Sequence, residues 1–476
     1  MVRTSLVILV LVSLIAAGCS SSSRNTAASG GDGDSPDTTA GPNPADAVDR
    51  SIERFGAAPE TPEGDLAPEV KAAADALFAR VEGEDVFTDE DAANLEIISV
   101  SGDPRMAWLL SDMLRLTRTA ALIEDISIGA EKLIGIDITN ADSRWGELTD
   151  HLIAWDTPAP PSYLEYKRNL YIRIVPEWEP LFEDGRDIDW RHLSWGGVGI
   201  DDTPYDKTDV TCGQCIPAVD NPDTVEVDDA DHLVDESIVF GVEINGEARA
   251  YPRSMMEVRE MVNDTLGGRD IGMPYCTLCG SAQVYFTDKM PDGIERPVLR
   301  TSGLLIRSNK VMYDIQSGSV FDTFLGSAVT GPLADKGIVL EQHTVTTTTW
   351  GEWKAEHPDT TVLAANVGFG RNPNFRNTRD AEGPIFPIGD LDQRLGVHDD
   401  VVGVITEADT PVAFPVDEAQ KTLEDGGTVV FEGVELRAEA GGLVAYAEGT
   451  DDVIVSHQAF WFAWSQFYAN TEVWTG

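Results

Sequence analysis

Positive charge is scarce in this sequence: 34 lysines and arginines stand against 82 aspartates and glutamates in 476 residues, a formal net charge of −48. That balance excludes broad electrostatic attraction to nucleic acid or to an anionic lipid surface, since both need clustered cations. Histidine is scarce as well, seven in all, and no two have the i, i+4 spacing of a helical metal pair. G-x-S-x-G elbow, P-loop, H-E-x-x-H and dinucleotide-binding glycine fingerprint are all absent, which leaves conventional hydrolase, kinase and dehydrogenase chemistry without support. Cysteine numbers only five. Two acidic clusters, "DDTPYDKTD" and "VDDADH", lack the ordered alternation with Gly and Glu of a known calcium loop.

Long apolar runs are also missing, with one exception. "LVILVLVSLIAAGC" follows shortly after Arg3, too short to span a bilayer comfortably but of the length of a signal-peptide core. Its end, Ala16-Ala17-Gly18-Cys19, looks like a bacterial lipobox, so residues 1–19 are expected to be a lipoprotein signal with Cys19 as the lipidated residue. This places the protein at the cell membrane, lipid-anchored and facing the extracytoplasmic side. Residues 20–62 are rich in Ser, Gly, Asp, Pro and Thr and read as a disordered tether.

Two folded regions are expected after it, giving an α+β protein. Residues 63–187 carry helical periodicity: "PEVKAAADALFARV" and "DPRMAWLLSDMLRLTRTAALIEDISIGAEKLIG" place apolar residues three and four apart, and Asp103-Pro104 is a helix start. Short helices joined by small turns suggest a repeat-like packing or docking domain, the place for a protein partner. From 188 to 476 the texture changes to short β-branched runs broken by turn residues, a strand-rich domain. An internal strand-strand-helix duplication is expected there. "VFGVEINGEARAYPRSMMEVREMVND" has an Asn245-Gly246 turn between two strands and then a helix; "VVGVITEADTPVAFPVDEAQKTLEDG" repeats the plan. Downstream, the first unit carries cysteines and the second does not, so sulfur is not needed for this unit to fold.

With Cys19 set aside, the remaining cysteines form two C-x-x-C pairs, Cys212/Cys215 and Cys276/Cys279. Three readings stand side by side. Two such pairs can supply the tetrahedral thiolate set zinc prefers, and soft thiolates also suit copper(I). Structural disulfides fit the oxidising compartment; bridges across the pairs, closing roughly 60 residues, would contribute about 4 kcal/mol in the chain-entropy picture. A redox dithiol would need one cysteine of a pair to be an acidic nucleophile.

The segments "WGGVGIDDTP", "CIPAVDNP", "FGVEINGEARAYP", "VNDTLGG", "YCTLCGSA", "SGLLIRSNKVMYD", "TTWGEWKAEHPDT" and "FWFAW" resemble, in order, the bacterial family of domain of unknown function 3179, from about Trp190 to the C-terminus. The helical segment resembles the one that often precedes that domain. The family brings no agreed activity, and fold likeness would not supply one. Against the pattern of that family, Thr277 replaces a proline in C-P-x-C, Arg259 stands where a histidine is usual, and Cys215 fills a position commonly glycine. The resemblance thus implies a lost imidazole, which the second cysteine pair could replace as a ligand. Arg259, Arg307, Asn309, Tyr313 and Asp314 fall in or beside these motifs and are candidates for a pocket or for a buried hydrogen-bond network. His457 reads as a surface or cap residue, and Phe460 to Trp464 as core. The leading expectation is soft-metal binding (zinc or copper, otherwise no cofactor) through the four cysteines. The alternatives are a thiol-disulfide oxidoreductase and a non-catalytic surface binding module.

Overall fold

Capping chemistry explains where the helices begin. The structure is a computed structural model that describes residues 54–79, 87–183, 188–207, 214–368 and 384–476. The signal segment, Cys19, most of the expected tether and Cys212 therefore lie outside the described residues. Pro68–Leu77 starts with proline in its first turn, and Asp89–Ser99 opens with a reciprocal capping box between Thr88 and Asp91. At Asp103-Pro104 the aspartate accepts from the Arg105 backbone and a short 3₁₀ turn leads into Ala107–Leu116. The long periodic run is two helices, because Thr117 is extended and ends the first; Ala120–Ile134 then closes on left-handed Gly135. Arg144–Ala154 and Tyr163–Ile174 complete the region.

Ala107–Leu116 is buried nearly all round, as befits the central helix of the group. It carries Asp112, which accepts from Lys167 Nζ at 2.6 Å and from the Tyr163 hydroxyl at 2.8 Å, so even its polar positions are satisfied inside. Leu193, Leu304, Val311, Tyr313 and Val320 from the strand-rich part join the same hydrophobic core, and Trp178 Nε1 donates to Ser302 O at 2.7 Å. The last residues of the expected tether also belong to this body. Phe55 is buried against His151, and Trp155 Nε1 donates to Gly56 O.

Past Trp190 the chain is strand-rich, and the described strands form five small sheets. In the first, Leu193–Trp195 pairs with Leu299–Ile306, which pairs with Asn309–Asp314 and onward. The second is built on Met261–Leu266 and Arg269–Cys276, with Val219–Asp220 at its edge. The first is antiparallel throughout; in the second the Met261–Leu266/Arg269–Cys276 hairpin is antiparallel, as a short local connection favours, while the edge strand Val219–Asp220 runs parallel to Met261–Leu266.

The third and fourth sheets have one plan. The third adds an edge strand, Thr224–Glu226, to four that run in the order Thr346–Thr349, Ile238–Ile244, Glu247–Pro252, Thr361–Leu363, and the fourth has the order Ser456–Phe460, Asp400–Ile405, Pro411–Pro415, Glu472–Val473. In each the last of these strands runs parallel to its neighbour while the others are antiparallel. The Asn245-Gly246 turn has positive φ at both residues, as the hairpin reading requires. A tryptophan lies over a strand glycine in both sheets: a Cβ on Gly241 would fall 2.3 Å from Trp353, and one on Gly403 2.0 Å from Trp464. Each indole then donates to a threonine seven residues on, Trp353 to Thr360 at 3.0 Å and Trp464 to Thr471 at 2.9 Å.

Arg300, only 1% exposed, ties the first two sheets together. Its guanidinium donates to both oxygens of Asp220, at 2.9 and 2.6 Å, and to Thr203 O at 3.0 Å. Asn263 donates to Asp220 and to Leu299 O, and its own oxygen accepts from Leu299 N. Asp201 lies 3.7 Å from the guanidinium and accepts from the backbone of Thr203 and Ala218. Such a buried bidentate pair is costly to break from one side. Asp220→Ala is expected to lower unfolding free energy by about 3–5 kcal/mol, read from the urea midpoint. Gly403→Ala is expected to cost about 1–3 kcal/mol by forcing a methyl group into the Trp464 ring; an unchanged midpoint would refute the close approach.

Candidate functional site

The Cys276/Cys279 turn is where a strand stops and doubles back. Cys276 is the last residue of Arg269–Cys276, and Ser281–Ala282 folds back to pair with that strand. Cys279 N donates to Cys276 O at 3.2 Å, closing the turn, and Cys279 O accepts from Phe460 N at 2.8 Å. Gly280 follows at φ +63°, and a Cβ there would lie 3.0 Å from the Phe460 ring, so the glycine after the second cysteine meets both a backbone and a packing demand.

Both cysteines are buried free thiols. Their sulfurs share one acceptor, Ser308 O, at 3.9 Å from Cys276 and 3.4 Å from Cys279; Cys279 also donates to Asn309 Oδ1 at 3.5 Å. Ser308 stands in the tight turn between Leu299–Ile306 and Asn309–Asp314, beside Arg307 at φ +54°, whose backbone N–H donates to His192 O at 2.8 Å. The turn of one sheet is thus lodged against the thiols of another.

Glu260 occupies the opposite side. It ends the helix Arg253–Arg259 in the left-handed region, φ +54°, where glycine is the usual choice, and it is buried. Its carbonyl accepts from Tyr275 N at 3.0 Å and from the buried ammonium of Lys310, while its carboxylate accepts from Thr277 Oγ1 at 2.9 Å. A non-glycine residue held this way stores conformational strain that the surrounding bonds must offset.

Burial pushes the Cys276 thiol up, and the Glu260 charge acts in the same direction. Hydrogen bonding from the Cys279 thiol and from the Lys310 backbone N–H outweighs them, leaving Cys276 more acidic than an ordinary thiol. Cys276 also forms part of the wall of a cavity of about 210 Å³, together with Glu260, Thr277, Lys310 and a largely apolar remainder that includes Ile216, Leu304 and Phe386.

The other sequence candidates are distributed around this centre. Ile216, the residue after Cys215, lines the cavity that Cys276 lines. Cys215 itself is disulfide-bonded, and Cys212 lies outside the described residues. Among the described residues no group of three or more His, Cys, Asp or Glu is placed to hold a metal ion, so the described donors fall short of the tetrahedral set zinc prefers. Asn309 touches Cys279. Arg307 Nη1 donates to the side-chain oxygen of Gln466, and Arg259 Nε donates to Val367 O at 2.8 Å. Tyr313 donates to Asp201 O at 2.6 Å, in the Arg300 cluster, and Asp314 accepts from the backbone of Val298 and Ser317. Asn309 therefore belongs to the thiol site, while Tyr313 and Asp314 serve the buried network and a turn.

Sequence reasoning missed Glu260 and Lys310. Neither a left-handed backbone at a glutamate nor a buried lysine has a sequence signature, although Glu260 lay one residue from the flagged Arg259. His457, expected at the surface, is instead buried between Phe324 and Trp464, where burial pushes its pKa down to about 4. The aromatic run Phe460 to Trp464 is core, as read. Ser281 Oγ, Ser308 Oγ and both amide atoms of Gln283 are buried without a hydrogen-bond partner close in sequence to the thiols or to their acceptor.

No curated protein and no solved structure matches the chain. Residues 213–448, which include the thiol turn, Glu260, the 306–309 turn and Lys310, match the family model described as protein of unknown function (DUF3179), and through that span the chain belongs to this family.

Proposed function

We propose that Cys276 and Cys279 form a thiol-disulfide redox centre, with Cys276 the attacking thiol and Cys279 the resolving one. One observation carries the reading: of two adjacent free thiols, Cys276 faces the cavity and is acidified, while Cys279 is tucked behind it on Ser308 O and Asn309. A dithiol exchanging disulfides needs this asymmetry, because the attacking sulfur must be both ionised and reachable. The disulfide at Cys215 weighs against a four-thiolate metal centre.

Two finer expectations belong to the same proposal. The protein is lipid-anchored through Cys19 on the extracytoplasmic side, where disulfide chemistry operates. The third and fourth sheets descend from a duplicated unit, supported by their common strand order and by the glycine-tryptophan-threonine set in each. Only the first copy continues into the thiol turn.

Iodoacetamide labelling of the folded, reduced protein tests the centre. Cys276 is expected to react first, with half-maximal rate at a pH below the ordinary thiol value of about 8.5. Rates unchanged by chelators, with no metal found by elemental analysis, are expected; one metal ion per chain that blocks labelling until chelated would establish the metal reading instead. In Glu260→Gln the labelling profile should shift to still lower pH, since removing a neighbouring negative charge favours the thiolate. A shift upward would show that Glu260 serves Cys276 in some other way.

A further inference from the structure

We infer that the cavity beside Cys276 is the substrate site of the dithiol, and that it admits a neutral, low-molecular-weight disulfide rather than a disulfide carried by a folded protein. This inference rests on the redox reading above.

Size speaks first. At about 210 Å³ the cavity falls below the range of roughly 300–1,000 Å³ that holds drug-sized ligands. A disulfide on a folded protein brings backbone on both sides of its sulfurs, and this volume has no room for it. The wall is also stiff in one place: Gly303, at φ +76°, runs so close to the neighbouring chain that a Cβ would lie 2.5 Å from Val198 O. Backbone packed on backbone cannot swing aside as a long side chain can.

Chemistry of the wall selects among small molecules. Val198, Ile216, Leu304, Leu305, Val311 and Phe386 present apolar surface. Two charged side chains of opposite sign share the wall, and both are engaged with protein groups: Lys310 with the Glu260 carbonyl, the Glu260 carboxylate with Thr277. The site thus offers no net charge to a ligand. Outside it, a chain with net charge −48 repels anions. A compact, uncharged disulfide is what remains.

The step balances with this substrate as oxidant. The Cys276 thiolate attacks one sulfur of R–S–S–R; that bond breaks, a Cys276–S–S–R bond forms, and RS⁻ leaves, taking up the proton Cys276 had lost. The Cys279 sulfur then attacks Cys276, the mixed disulfide breaks, and the second RS⁻ takes the proton from Cys279. The substrate gains two electrons and two protons and departs as two thiols, while the protein retains a Cys276–Cys279 disulfide.

Single-turnover oxidation of the reduced full chain tests this, with thiols counted against time for three probes: bis(2-hydroxyethyl) disulfide, oxidised glutathione and insulin. The neutral small disulfide is expected to consume both thiols at least tenfold faster than either of the others. In Cys279→Ser it should leave one 2-mercaptoethanol unit on Cys276, located by peptide mass. Faster oxidation by insulin or by oxidised glutathione overturns the assignment of substrate class and leaves the dithiol reading standing. Failure of all three probes to consume thiols or to modify Cys276 overturns both.

Discussion

The bidentate contact between Arg300 and Asp220 is the constraint on which the site depends. Each partner would be an intolerable charge in the interior without the other, and together they fix three pieces of chain. Asp220 comes from the edge of the second sheet, Arg300 from a strand of the first, and Thr203, with Asp201, from the loop that closes over both. The cavity is bounded by the same pieces: Val198 and Ile216 from the loop, Leu304 and Leu305 from the first sheet, Cys276 from the second. Hydrogen bonds from Asn263 to both sides set the spacing. Buried ion pairs of this kind contribute less to net stability than to a defined geometry, and here the defined geometry is the approach of a turn to two thiols.

Local chemistry made much of this legible. The Asp103 helix start, the Asn-Gly turn at 245–246 and the glycine after Cys279 each obey a rule that acts within a few residues, so the sequence carries it directly. The Cys276/Cys279 pair was visible for the same reason. What escaped depended on distant packing. His457 looked polar and peripheral, yet a strand register places it between aromatic rings. Phe55 sat in a stretch whose composition reads as tether, and only the helix bearing His151 gives it a place to bury. Tyr313 and Asp314 were candidates for a pocket or for a buried network alike, and the partner that ties Tyr313 to the network, Asp201, lies 112 residues away in sequence, where no local rule reaches.

Glu260 shows why the most informative residue was the least visible. Its backbone conformation is one that sequence rules assign to glycine, and its side chain is one they assign to the surface. Both rules fail at one residue because three neighbours, Tyr275, Thr277 and Lys310, compensate for the failures at once. Local rules broken together, beside an acidified thiol, mark a place where the fold accepts a cost for something other than stability. The threonine at 277 takes part directly: its hydroxyl holds the Glu260 carboxylate, which a proline could not do.

One carbonyl, that of Ser308, receives a proton-bearing sulfur from each cysteine. Joining those sulfurs would strip it of both donors in a single event and leave a buried oxygen wanting. Arg307, its neighbour, reaches across to Gln466 in the C-terminal helix, so the carbonyl that takes both sulfurs stands one residue from a tie to the helix Trp461–Phe467.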